Sequence, residues 1–165
     1  IARCEQMKND AFMDAFEGTN KNFKEIFAEL SDGSGELLLE NPKAPFEGGL
    51  IIRAQPAGKT LLRLEAQSGG EQSLIALSLL LAIQRYKPAP FYVFDEVDMH
   101  LDGINIERAA KMIKRCARNI QFIVISLREP MIEAADRTIG VAMQEHDVST
   151  ITGIILNPNG VKARA

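Results

Sequence analysis

The sequence predicts an α/β domain: a mainly parallel sheet with flanking helices, plus a small antiparallel strand meander. Three observations predict it. After residue 65, apolar strand-like runs alternate with helical stretches, as strand–helix–strand units require. Over 35–64, three short apolar runs lie between turns marked by Pro and Gly. Ahead of both, residues 1–30 hold half of the eight Phe at helical spacing.

Composition fits one folded unit, read as a single lobe over 1–165. Apolar residues are 46% and charged residues 25%, which excludes collagen-like, low-complexity and disordered classes. A chain of this length buries about 70% of its unfolded surface, enough for one core. The net charge of −3 excludes a strongly basic nucleic-acid module and a polybasic membrane anchor. Cys4 and Cys116 lie far apart with no C-x-x-C, which fits a reducing, cytoplasmic setting better than a disulfide scaffold or zinc site. No apolar run approaches the roughly 18 residues of a membrane span. The first residue is Ile1 and no signal peptide follows, so a processed product or an excised piece is expected.

The first element is a helix over 1–30. Phe12, Phe16, Phe23, Ile26, Phe27 and Leu30 share one face, and the weaker stripe before them suits a helix arriving from a coiled coil. Ser31 to Gly35 ends it in a turn. Strands are expected at 35–39, 50–54 and 60–64, with the Pro56-Ala57-Gly58 turn between the last two. A polar joint over 65–70 precedes a helix over 71–86, which Lys87-Pro88-Ala89-Pro90 breaks. The apolar strand 91–94 then ends in Asp95-Glu96. A helix over 102–118, a strand over 120–125, a short helix over 129–135 and strands near 138–143 and 150–156 complete the 65–156 unit.

Gly58-Lys59-Thr60 imitates the end of a phosphate-binding P-loop, G-x-x-x-x-G-K-[ST]. The first Gly of that pattern would fall on Arg53, and a strand, not a helix, follows Thr60. The stretch reads as a hairpin turn with a solvated Lys, so the chain carries no nucleotide-cradling loop of its own.

Three elements carry chemistry. Ser68-Gly69-Gly70-Glu71 stands just before a helix. Unpaired N–H groups, a partial positive charge and two glycines suit a terminal phosphate there, while S-x-x-E also fits a plain capping box. Asp95 and Glu96 sit at the C-terminal end of an apolar strand, where ligands collect in open α/β sheets. Asp95 can hold Mg²⁺ and Glu96 can deprotonate an attacking water; both can equally cap a neighbouring helix. Asp98-Met99-His100-Leu101-Asp102 follows directly, and Asp102 is also a good N-cap. His100 reads as a surface residue.

In this order and spacing, the three resemble the signature, Walker B strand and D-loop of ABC-type ATPases. Asn22 to Phe27, Pro45 to Leu50, Pro56 to Lys59 and Lys87 to Asp98 look like the C-terminal head segment of structural maintenance of chromosomes (SMC) proteins, prokaryotic type. The resemblance runs from about Phe12 to Leu156.

It implies an ABC-type ATPase head lobe, half of a head whose other half is the N-terminal segment of the same SMC chain, bearing Walker A. It implies ATP and Mg²⁺ as cofactors, with Asp95 on the metal and Glu96 activating water. Signature residues Ser68, Gly69, Gly70 and Glu71 would serve ATP held by a second SMC head, with Asp102 at the seam. Engagement on ATP and release on hydrolysis would serve chromosome condensation, segregation or cohesion. Further implied partners are a kleisin subunit, on the C-terminal strands, and DNA; a membrane is not implied. Localisation follows as cytoplasmic and nucleoid-associated. ATPase activity would need the Walker A segment.

Two departures stand out. Gln67 takes a place that is usually apolar in the family, and Leu127 stands where many ABC ATPases carry a switch His. The latter favours SMC over a transporter subunit or the related coiled-coil ATPase of double-strand-break repair. An alternative to the enzyme fragment is a module that mainly docks kleisin and DNA. Arg108, Lys111, Arg115 and Arg118, with Lys114 nearby, form a helix stripe that reads as a solvated face or as a DNA contact.

Overall fold

A computed structural model describes residues 2–58, 62–63, 68–143, 149–157 and 160–163. Helix α1 spans Ala2–Ser31. It is exposed over its first turns, and its Phe stripe becomes core further on: Phe23, Phe27 and Leu30 are fully buried. Asp32, at φ 52°, turns the chain out of the helix, and Gly33 packs so close to the Gln55 carbonyl that no side chain fits there.

The strands β1 (Ser34–Leu39), β2 (Leu50–Gln55) and β3 (Leu62–Arg63) form the expected antiparallel sheet, in that order. Of the third expected strand, Thr60, Leu61 and Leu64 lie outside the described residues, as do Lys59 of the turn and Gln67. Gly58, at φ 76°, sits in a turn, and the next described element is strand β3, as the hairpin reading of Gly58-Lys59-Thr60 anticipates.

Helix α2 (Gly69–Tyr86) starts two residues earlier than expected. Ser68 is its N-cap, so both glycines lie in the first turn and not in a joint. α2 packs along α1, with Leu74, Ile75, Leu77, Leu81 and Ala82 buried. Beyond its end, the Tyr92 hydroxyl accepts from the Ala89 N–H at 2.8 Å, tucking in the proline-rich break.

Strands β4 (Phe91–Asp95) and β5 (Gln121–Ile125) pair in parallel, bridged by α3 (Gly103–Cys116). The expectation of a mainly parallel sheet is corrected here. Among the described residues, β4–β5 is the parallel part, and both three-stranded sheets are antiparallel. A short α4 (Glu129–Ala134) leads to β6 (Arg137–Met143), β7 (Ser149–Asn157) and β8 (Gly160–Ala163), the last not anticipated. The alternation that suggested parallel units stops at α4, because β6 and β7 pair as a long hairpin.

One apolar cluster joins α1, β1, β2, α2, β4, α3 and Met131 of α4. The two faces of β4–β5 differ. Tyr92, Phe94, Phe122 and Val124 pack on the cluster, whereas Phe91, Val93, Ile123 and Ile125 are about half exposed. Ile139, Val141, Met143 and Ile151 of the β6–β7 hairpin are more exposed still.

Four of the five basic residues of the α3 stripe are ion-paired, Arg118 being the exception among the described residues. Arg108 pairs with Asp32 and donates to the Leu30 carbonyl, Arg115 pairs with Glu29, Lys114 with Asp136 and Lys111 with Glu107. The two Arg pairs tie α3 to α1 and its exit turn, so those two guanidiniums are engaged within the chain. Cys4 and Cys116 are free thiols.

The Tyr86 ring lies over Gly18, and its hydroxyl donates to Asp14 at 2.6 Å, joining the end of α2 to α1. That bond raises the Tyr86 pKa above its usual 10.0. The contribution is therefore complete below pH 10 and is lost as pH rises through the raised value. Chemical denaturation should show Tyr86→Phe less stable than the parent by a constant margin between about pH 7 and 9, with the margin closing in more alkaline solution. A margin independent of pH throughout would refute the assigned bond.

Candidate functional site

The chemistry-bearing residues gather around the ends of α2 and β4. At α2, the Ser68 N–H donates to the Glu71 carboxylate at 2.8 Å, and the Ser68 side chain accepts from the Glu71 backbone, closing a capping box. Glu71 is thus committed to the cap. Gly69 has open space where a Cβ would stand, so the backbone of the first turn is accessible. Gly70 is different: a Cβ there would lie 2.8 Å from the His100 carbonyl oxygen. This close approach seats the start of α2 on the loop that follows β4.

One cleft results, lined by Ser68, Gly70 and Glu71 together with His100, Asp102 and Asn105. Asp102 is the N-cap of α3; its carboxylate accepts from the Asn105 N–H at 2.9 Å and from the Asn105 side chain at 3.2 Å. The structure therefore brings the Ser68–Glu71 segment and Asp102 together. It does not bring Asp95 and Glu96 into that cleft.

Asp95 ends β4, and Glu96 follows in the left-handed region at φ 49°. Such a backbone is strained for a non-glycine residue, at a cost of about 1–3 kcal/mol, and clusters at functional positions. Both side chains are exposed, and neither has a hydrogen-bond or ion-pair partner among the described residues. Helix capping, their alternative role, is not what they do. No group of three or more His, Cys, Asp or Glu among the described residues could hold a metal ion. Two free carboxylates nevertheless fit Mg²⁺, which takes one or two of them and fills its remaining positions with water and substrate phosphates.

The loop between Glu96 and Asp102 is stitched to the segment after β5. The Glu96 N–H donates to the Ile125 carbonyl at 2.9 Å. Ser126 Oγ donates to the buried Asp98 carboxylate at 2.5 Å and accepts from the Arg128 N–H at 3.0 Å. The Arg128 guanidinium donates to the Leu101 carbonyl at 3.3 Å. Ser126 and Arg128 carried no signal in the sequence beyond following an apolar strand.

Comparison with known proteins fixes the family. The family model "RecF/RecN/SMC N terminal domain" matches residues 12–150. The chain belongs to the RecF/RecN/SMC family. It is 56% identical over 156 residues to the chromosome partition protein Smc of Gloeobacter violaceus, covering 94% of this chain and 13% of that protein. It thus spans a small part of the curated relatives it matches. Among solved structures it is similar to the Pyrococcus furiosus Smc head domain with an extended coiled coil, bound to the C-terminal domain of ScpA. Identity there is 51% and the TM-score 0.88, over 94% of this chain and 39% of that one. A chain from a structural study of ATP-driven dimerisation and DNA-stimulated activation of SMC ATPases is 52% identical with a TM-score of 0.81, over 87% of this chain and 88% of that one. The expected SMC relationship and α/β head fold hold.

In this SMC-family chain the two neighbouring glycines are not equivalent. Gly→Ala in a helix ordinarily stabilises by up to about 1 kcal/mol. Gly69→Ala should follow that rule. Gly70→Ala should instead destabilise by about 1–2 kcal/mol, because the carbonyl it meets is backbone and cannot swing aside. Urea denaturation of the two variants checks this, and equal effects at both positions would sink the packing assignment.

Proposed function

We propose that this chain is the C-terminal half of an SMC ATPase head, a single lobe whose long helix enters from a coiled coil. The observation that carries the proposal is the division of the site. The Ser68–Gly70 segment shares a cleft with Asp102, while Asp95 and Glu96 stand outside it with free carboxylates. One chain thus offers two half-sites, each needing groups from elsewhere. The order of signature, Walker B strand and D-loop supports assignment to the C-terminal half. The half-exposed apolar face of β4–β5 supports a missing covering segment, for which the N-terminal part of the same head is the proposed occupant.

In this reading Ser68, Gly69 and Gly70 present a hydroxyl and helix N-terminal N–H groups to the γ-phosphate of ATP carried by a second head. Glu71 acts indirectly, by holding Ser68 in its cap. Asp102 fixes the start of α3 at the seam between heads. Asp95 would hold Mg²⁺, which when bound neutralises charge on the phosphate oxygens. Glu96 orients the attacking water and takes its proton. ATP then bridges two heads, and hydrolysis removes the bridge.

The proposed setting is chromosome partition, in a cytoplasmic, nucleoid-associated complex. The relative from Gloeobacter violaceus is a chromosome partition protein, and the Pyrococcus furiosus head is bound to a domain of ScpA. The exposed β6–β7 residues suit a protein partner of the kleisin kind. DNA enters through the assembly, since Arg108 and Arg115 of the α3 stripe are already ion-paired within the chain.

The test is reconstitution with the N-terminal segment. ATP hydrolysis should appear only in the mixture. Glu96→Gln should lower turnover about a hundredfold or more, the scale of a lost general base, while ATP-dependent dimerisation persists. Normal turnover in the Glu96→Gln head overturns the assignment of the base.

A further inference from the structure

The loop from Glu96 to Asp102 holds a buried carboxylate with no part in the mechanism above. Asp98 is 1% exposed, and the Ser126 hydroxyl donates to it at 2.5 Å. Ser126 has a single proton to give, and its oxygen also accepts from the Arg128 N–H. The same loop is tied at its start by Glu96 N–H to the Ile125 carbonyl and at its end by Leu101 to Arg128. Of these three ties, the central one is made between two side chains. It lies two residues from Glu96, whose backbone is held at positive φ.

We propose that Asp98 and Ser126 are positioning residues whose hydrogen bond aims the Glu96 carboxylate. The inference rests on the reading of Glu96 as the base. A backbone at φ 49° is not one Glu adopts by itself, so something must hold it. The Glu96 N–H is tied to Ile125, while its carbonyl accepts from the Met99 N–H at 3.1 Å, a bond that lies within the loop and does not hold the loop to the rest of the chain. Asp98, buried against Ser126, anchors that turn to the segment after β5. Without it the loop relaxes, and a displacement of about 1 Å at a reacting group costs on the order of a hundredfold in rate. Ser68–Gly70 meets this loop only at the His100 carbonyl, next to Leu101, which Arg128 still holds, so affinity should change less than rate.

The test uses the complete head, this chain with its N-terminal segment. Ser126→Ala and Asp98→Ala should each lower kcat about ten- to a hundredfold while KM for ATP moves less than about threefold. Ser126→Thr keeps the hydroxyl and should return kcat to within about threefold of the parent. The Asp98→Ala/Ser126→Ala pair should be no slower than the slower single variant, because both remove one interaction. In a Glu96→Gln background, Ser126→Ala should leave the residual rate unchanged. The proposal is overturned if Ser126→Ala retains parental kcat, if Ser126→Thr fails to rescue it, or if Ser126→Ala slows the Glu96→Gln head further. Should Asp98→Ala not fold, the Ser126 series alone decides. A head that turns over normally with Glu96→Gln overturns the base; one inactive with Glu96→Gln and unaffected by Ser126→Ala overturns only the positioning role.

Discussion

Burial of Phe23, Phe27 and Leu30 on the inner face of α1 is the constraint on which the rest of the molecule depends. Each such side chain contributes about 1.5–3 kcal/mol when taken from water. The β-sheet is pressed on this stripe so tightly that a Cβ at Gly35 would lie 2.9 Å from both the Phe23 and Phe27 rings. α2 and α3 join the same cluster. The ion pairs from α3 to Asp32 and Glu29 are partly exposed, and pairs of that kind contribute about 0–1 kcal/mol each. The aromatic stripe therefore supplies the cohesion, and the charges fix the direction in which α3 lies.

That arrangement decides where chemistry can occur. α2 is held along α1, so its N-terminus has one place to be, against the His100 carbonyl. α3 is held by Arg108 and Arg115, so Asp102 must meet the same cleft. β4 belongs to the core through Phe94 on one side only, which leaves Asp95 and Glu96 at the rim of a sheet with an open face. The open sheet face and the separation of the Ser68–Asp102 cleft from Asp95 and Glu96 share one cause: among the described residues, the core closes around α1 and leaves one face of β4–β5 exposed.

Much of this was legible in the sequence because it depends on local pattern. The Phe spacing marked α1, the apolar run marked β4, and S-x-x-E marked the start of α2. The same pattern set that start two residues late, because Gly69 and Gly70 have poor helix propensity, and the capping box outweighs it. The extent of the parallel sheet was not legible. Alternation says that strands and helices follow one another, but pairing is settled by long-range contacts, and β6–β7 close on each other. The basic stripe on α3 looked free because its partners, Asp32, Glu29 and Asp136, are distant in sequence or lie beyond a turn. The tie between Asp98 and Ser126 spans 28 residues and two elements, with no periodicity to announce it.

Glu96 shows how a local rule broken by the chain carries information. A glycine would take φ 49° at no steric cost, so a Glu in that place means that its side chain is worth the strain. A structural reason would appear as a partner for the carboxylate, and none exists among the described residues. A strained backbone with a structural purpose also does not need the three ties that hold this loop to the end of β5. Strain, an unpartnered acid and a reinforced loop together are what a group aimed at something outside the chain requires. What distinguishes Glu96 from Asp95 beside it is its backbone, at φ 49° in a loop tied to the end of β5, where Asp95 is a regular strand end.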